Sequence, residues 1–169
     1  MYSDRSGQAM NEPFSFEDLL REKGSFVYTN VGISMMPLLR QHRDIIEIRK
    51  KGIDRCKKYD AVLYKRGKKY ILHRIVKVRA DDYVIVGDNC IWREYGITDD
   101  DILGVMTRVV RNGRTIDVNT NKLYKFYVHL WCDFYHVRAG ILAMIQIVKR
   151  LGHMVKKALH MDKHKEREN

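Results

Sequence analysis

A change of hydrophobic period near residue 120 constrains this chain more than any other feature. Before it, β-branched and aromatic residues come in short runs at 26–29, 44–49, 61–64, 70–78, 83–86, 104–110 and 115–118. Runs of that length and composition read as strands. Turn formers separate them: Gly67 among the basic residues 65–69, the acidic stretch 79–82, and Arg111-Asn112-Gly113-Arg114, whose Asn-Gly pair is a strong hairpin signal. Short strands so spaced predict a mainly β core, a compact sheet or barrel-like body. Beyond Asn121, Leu123, Phe126, Leu130, Phe134, Val137, Ile141, Met144, Val148, Leu151, Val155 and Leu159 recur at helical steps. They predict a helical segment of about 35–40 residues, bent near Gly140 or Gly152 and roughly 55 Å long at the usual rise per residue.

Two flanking segments complete the layout. The first dozen residues are polar without periodicity and read as a leader. Ser15 to Gly24 then reads as a short helix, with Ser15 as its cap, Glu17 and Asp18 in its first turn and Gly24 as its left-handed stop. The late helical stretch sets Lys149, Arg150, Lys156 and Lys157 beside apolar residues, a pattern shared by helices that lie on an anionic membrane and by packing helices with a solvated basic face. Residues 163–169 read as a solvated tail.

Composition narrows the classes. A length of 169 residues suits one core plus an appendage, and 45% hydrophobic with 31% charged residues is a folded composition. The net charge of +11 favours an anionic partner, nucleic acid or acidic lipid. No aromatic-interleaved basic platform or Gly-rich RNA motif occurs, which disfavours nucleic acid. Cys56, Cys90 and Cys132 show no CxxC spacing, so neither a disulfide framework nor a zinc site is expected, and a reducing interior fits them. An apolar signal region is absent from the N-terminal residues, as is any run of 18 apolar residues; the expectation is a cytoplasmic protein, peripheral at the inner face of the cell membrane.

Three ordinary features then fall in a telling order. Gly32-Ile33-Ser34-Met35-Met36-Pro37 places a serine at a turn, where a nucleophile needs an exposed hydroxyl and nearby N–H groups for an oxyanion. Gly32 would let the backbone approach a substrate carbonyl closely. His73 lies in a strand, on the face opposite Leu72 and Arg74. Gly87-Asp88-Asn89 ends the next strand, where an acid is placed to orient an imidazole. Each alone is a common structural feature: a turn, a strand histidine, an Asp-Asn loop. His73 and Cys90 lack the spacing of metal ligands, and no metal or cofactor is expected.

Together, Ser34-Met35-Met36-Pro37, Tyr59-Asp60 opening a strand, His73-Arg74-Ile75, Gly87-Asp88-Asn89 and Gly104 entering a last strand resemble the superfamily that joins type I signal peptidases to LexA-like self-cleaving proteins. The likeness spans 31–110, and a histidine rather than a lysine at the base position is similar to the archaeal and eukaryotic signal peptidases. The resemblance implies a LexA/signal-peptidase-like β core and a serine endopeptidase acting on a peptide or protein. In it Ser34 is the nucleophile, His73 the general base, and Asp88 or Glu94, six residues later, the acid that orients the imidazole. The Ser34 N–H would serve the oxyanion, with Gly32 where signal peptidases often carry a second serine. The family's Gly-Asp after the serine motif is replaced here by His42-Arg43-Asp44, and the N-terminal membrane anchor of signal peptidases has no counterpart. The layout is then 1–24 leader and short helix, 25–120 catalytic β domain, 121–169 amphipathic basic extension and tail. A non-catalytic module on the same fold, contacting nucleic acid or anionic membrane, is the competing expectation; it predicts indifference to changes at Ser34 and His73.

Overall fold

The computed structural model describes residues 15–165, so the expected leader and the last four residues lie outside the described part. Ser15 caps α1 (Phe16–Lys23): its Oγ accepts the Asp18 N–H at 3.1 Å, and Gly24 ends the helix at φ 71° with its N–H on the Leu20 carbonyl. Both ends follow from side-chain capping and from glycine's tolerance of the left-handed region. Leu20 is buried and Phe16 stacks on Phe26, so the helix packs beside β1 (Ser25–Thr29).

The remaining strands are β2 (Ile45–Lys50), β3 (Ala61–Arg66), β4 (Lys69–Val78), β5 (Tyr83–Val86), β6 (Glu94–Ile97), β7 (Ile102–Arg111) and β8 (Arg114–Asp117). They form an eight-stranded antiparallel sheet in the order β1-β2-β7-β3-β4-β5-β6, with β8 folded back on β7. The protein is mainly β, as its short runs predict. The β7–β8 hairpin closes through Asn112 at φ 50° and Gly113 at φ 74°, the pair of positive φ angles an Asn-Gly turn supplies.

β3 explains how one sheet encloses a core. Ala61, Val62, Leu63 and Tyr64 are all buried, because both faces of this inner strand are covered. Val62 and Tyr64 join Ile75, Ile85 and Ile102 on one side, while Ala61 and Leu63 join Ile48, Met106 and Leu39 on the other. β7 lies close against its neighbour β2 at Gly104, where a Cβ would stand 2.7 Å from the Arg49 carbonyl oxygen and 2.7 Å from Ile48 Cγ2.

β4 bridges two neighbours. Residues 69–74 pair with β3, and from Arg74 onward the other edge pairs with β5. The β5-side edge of 70–73 therefore has no strand partner among the described residues, and β1 ends the sheet.

The helical region differs from its expectation. It is two helices, α2 (Lys122–Asp133) and α3 (Tyr135–Lys165), and the break falls at Phe134 rather than at Gly140 or Gly152, which lie inside α3. Glycine costs a helix only about 1 kcal/mol, so it does not by itself end one. Contacts to the β body act on either side of the break: Asp133 holds Lys58 Nζ at 2.8 Å and accepts from the Tyr59 hydroxyl, while Arg138 reaches the Cys90 carbonyl at 2.9 Å. α3 also continues through residues 163–165, where the sequence suggests the start of a tail.

Candidate active site

Ser34 sits in the turn between β1 and β2. The Met36 N–H reaches the Ile33 carbonyl and the Leu39 N–H the Met35 carbonyl, and the fully buried Met35 and Leu39 pin the turn to the core. Two asparagines hold its flanks. Asn30 Nδ2 donates to the Gly32 carbonyl at 2.8 Å; Asn89 donates its N–H to the Ser34 carbonyl at 2.7 Å and its Nδ2 to the Ile33 carbonyl at 3.1 Å. The Gly87-Asp88-Asn89 turn is thus fastened directly to the serine turn. Among the described residues the Ser34 N–H donates to no backbone carbonyl, which leaves a donor available beside the hydroxyl. A Cβ on Gly32 would stand 3.9 Å from Ser34 Oγ, an ordinary contact, so glycine there keeps the approach open without being demanded by crowding.

His73 is 7% exposed and its Nδ1 faces two groups, Glu94 Oε1 at 3.0 Å and the Tyr64 hydroxyl at 3.2 Å. Burial lowers its pKa below the ordinary 6.5, and the Glu94 carboxylate pulls it back only in part. The imidazole is accordingly neutral near pH 7, and a carboxylate at Nδ1 selects the tautomer with the proton there and the lone pair on Nε2. That nitrogen lies against Gly87: a Cβ would stand 2.9 Å from His73 Nε2, 2.7 Å from the Ser34 carbonyl oxygen and 2.8 Å from Cys90 Sγ. Only glycine lets the serine turn, the imidazole and the Gly87 turn converge so closely.

Of the two candidate acids, Glu94 meets the imidazole and Asp88 does not. β4 alternates, so Arg74 points away from His73, and Asp88 follows Arg74. Asp88 and Arg74 are both 0% exposed and form a bidentate pair, Nε to Oδ1 at 2.8 Å and Nη2 to Oδ2 at 2.8 Å. Arg74 Nη1 also reaches the Tyr59 carbonyl and the Tyr124 hydroxyl, and Trp131 Nε1 donates to the Asp88 carbonyl. Asp88 thus fastens the turn that bears Gly87 and Asn89 to Arg74. Glu94 divides its carboxylate between His73 and Arg66 Nη1, the latter at 2.7 Å.

Ser34 and His73 line one cavity of about 490 Å³, together with Gly32 and Cys90. No hydrogen bond joins Ser34 Oγ to His73 among the described residues. Five successive residues of β4, 69–73, border the cavity, as a strand does when it presents its edge rather than a face. Phe26 and Tyr28 of β1 also line it. Cys90 is held as a thiol, its pKa pushed up by burial.

Tyr64, Arg66 and Asn30 are members that sequence reasoning overlooks, while Cys90 enters it only as a metal ligand lacking the spacing. Tyr64 meets His73 diagonally across the β3–β4 register, where Val62 lies directly opposite the histidine, a relation no local pattern carries. Among the described residues no group of three or more His, Cys, Asp or Glu side chains is placed to hold a metal ion. Compared with known proteins, the chain matches no family model, no curated protein and no solved structure.

Proposed function

We propose that this chain is a serine endopeptidase that works through Ser34, His73 and Glu94. The observation that carries the proposal is the position of His73, braced at Nδ1 by Glu94 while Nε2 adjoins the serine turn in a shared cavity. In the reaction Ser34 Oγ attacks the scissile carbonyl carbon as its proton passes to His73 Nε2. The Ser34 N–H stabilises the oxyanion, and the imidazolium returns the proton to the leaving amine as the C–N bond breaks. Water, deprotonated by the same nitrogen, then cleaves the acyl ester. Glu94 keeps the ring in register and stabilises its transient positive charge.

The β5-side edge of β4, unpaired along the cavity, supports an extended peptide as the substrate, bound by main-chain hydrogen bonds to that strand edge. The apolar wall, with Phe26, Ile48 and Leu72, suits apolar side chains at alternate substrate positions.

Labelling with a fluorophosphonate probe tests this. Wild type should form one covalent adduct, mapped to Ser34 by peptide mass spectrometry; Ser34→Ala should form none and retain the wild-type unfolding midpoint. An adduct that persists in Ser34→Ala would overturn the assignment.

A further inference from the structure

The side of α2 and α3 turned from the β body is apolar and open. On α2, Leu123, Phe126 and Leu130 are 80%, 67% and 50% exposed, while Tyr124 and Val128 on the other side are buried in the core. On α3, Val137, Met144, Val148 and Leu151 form a row of their own at steps of seven, four and three residues, and each is more than half exposed. Leu142 is the last buried residue of α3 among those described, so the helix runs on past the β body with its apolar side uncovered. Monomeric soluble proteins rarely expose contiguous apolar patches beyond a few hundred Å², and larger ones mark interaction surfaces.

Charge selects the partner. Residues 122–165 carry nine Lys and Arg against two acids, Asp133 and Asp162. Asp133 is already engaged by Lys58 and Tyr59. A second copy of the same face would bring an equally positive stretch against it, whereas an anionic surface is complementary. None of the described helices is long and apolar enough to cross a membrane. An exposed apolar row on a strongly basic helix of this kind is the form that lies in the plane of lipid headgroups.

We propose that α2 and α3 form a peripheral docking face for an anionic lipid bilayer, with the apolar rows entering the headgroup boundary and the basic side chains meeting lipid phosphates. Two hydrogen bonds fasten this face to the turn that frames the cavity, Trp131 Nε1 to the Asp88 carbonyl and Arg138 to the Cys90 carbonyl. Docking therefore holds the cavity at a set height over the lipid.

Co-sedimentation of the full chain with vesicles tests the proposal, using phosphatidylcholine alone and phosphatidylcholine mixed with phosphatidylglycerol. The chain should pellet with the mixed vesicles, weakly with the neutral ones, and progressively less as salt rises. The double variant Met144→Glu, Leu151→Glu should lower the partition coefficient by about tenfold or more, since binding follows buried apolar area. Arg150→Glu, which leaves the apolar row intact, should lower it about fivefold or more, the worth of one basic residue near an anionic surface. Circular dichroism of the unbound variants checks that the helices persist, and if the double variant loses helix, Arg150→Glu decides alone. Absence of pelleting, equal pelleting with neutral vesicles, or variants that bind as wild type would overturn the proposal. So would a wild-type dimer in sedimentation velocity that Met144→Glu, Leu151→Glu dissociates without changing lipid binding, which would assign the row to a second copy. The readout is binding, so it stands or falls apart from the peptidase assignment.

Discussion

Two consecutive residues of β4 carry opposite kinds of acid–base pair. Arg74 and Asp88 are fully enclosed, joined through two parallel hydrogen bonds, with further partners on Tyr59, Tyr124 and Trp131. His73 and Glu94, on the other face, are joined at one nitrogen only, and the second nitrogen opens toward the serine turn and the cavity. The first pair has its hydrogen-bonding groups enclosed and partnered. The second, on the proposed reading, keeps one ring nitrogen for the serine. One strand thus carries an enclosed ion pair on one face and a cavity-lining imidazole on the other, and a single turn, residues 87–90, touches both.

The largest effect that separates the two pairs should come from Glu94→Gln. An amide that donates to Nδ1 stabilises the wrong tautomer, and the analogous loss in serine peptidases is about 10⁴-fold in turnover. We expect a fall of about 10³–10⁴-fold in acylation by the fluorophosphonate, measured as a rate, with little change in the unfolding midpoint. A variant that acylates at the wild-type rate would remove Glu94 from the mechanism.

Asp88→Ala should act the other way round. It leaves the Arg74 guanidinium buried and unpaired, which costs about 3–5 kcal/mol. Urea unfolding should register that loss, and tryptophan fluorescence should report loosening where Trp131 meets the 88 carbonyl. If Asp88→Ala kept wild-type stability while acylation vanished, the roles assigned to the two acids would be reversed.

The smallest effect concerns pH. Burial depresses the His73 pKa, so the group is proton-free over a wider range than an exposed histidine. Acylation should rise with pH along a limb whose midpoint lies below the ordinary value of 6.5. Because Glu94 acts to raise that pKa, the residual acylation of Glu94→Gln should show its midpoint at still lower pH. A midpoint above 6.5 in the wild type would mean that the carboxylate outweighs burial, and the pairing would be stronger than its geometry suggests.

Much of the scaffold was legible along the chain. Ser15 and Gly24 marked the ends of α1, Asn112-Gly113 marked the β7–β8 hairpin, and the alternation of β4 set His73 and Arg74 on opposite faces. β6 was not legible: Glu94-Tyr95-Gly96-Ile97 is four residues long, has one glycine at φ 75°, and buries none of them fully. It is a strand because β5 pairs with it, and that pairing carries Glu94 to the imidazole. The break at Phe134 was not legible either; the residues that flank it bond Lys58, Tyr59 and Cys90, far away in sequence.

The sequence by itself determined most of the strands, the ends of α1, the β7–β8 turn and the helical character of the region after Asn121, because periodicity and capping are local properties of the backbone. Only the tertiary structure decided which acid meets His73, why Gly87 must lack a side chain, and that the apolar rows of α2 and α3 stay uncovered. Those outcomes depend on strand register and on contacts between residues distant in the chain, and no local spacing encodes which of several carboxylates the fold will bring within 3.0 Å of a ring nitrogen.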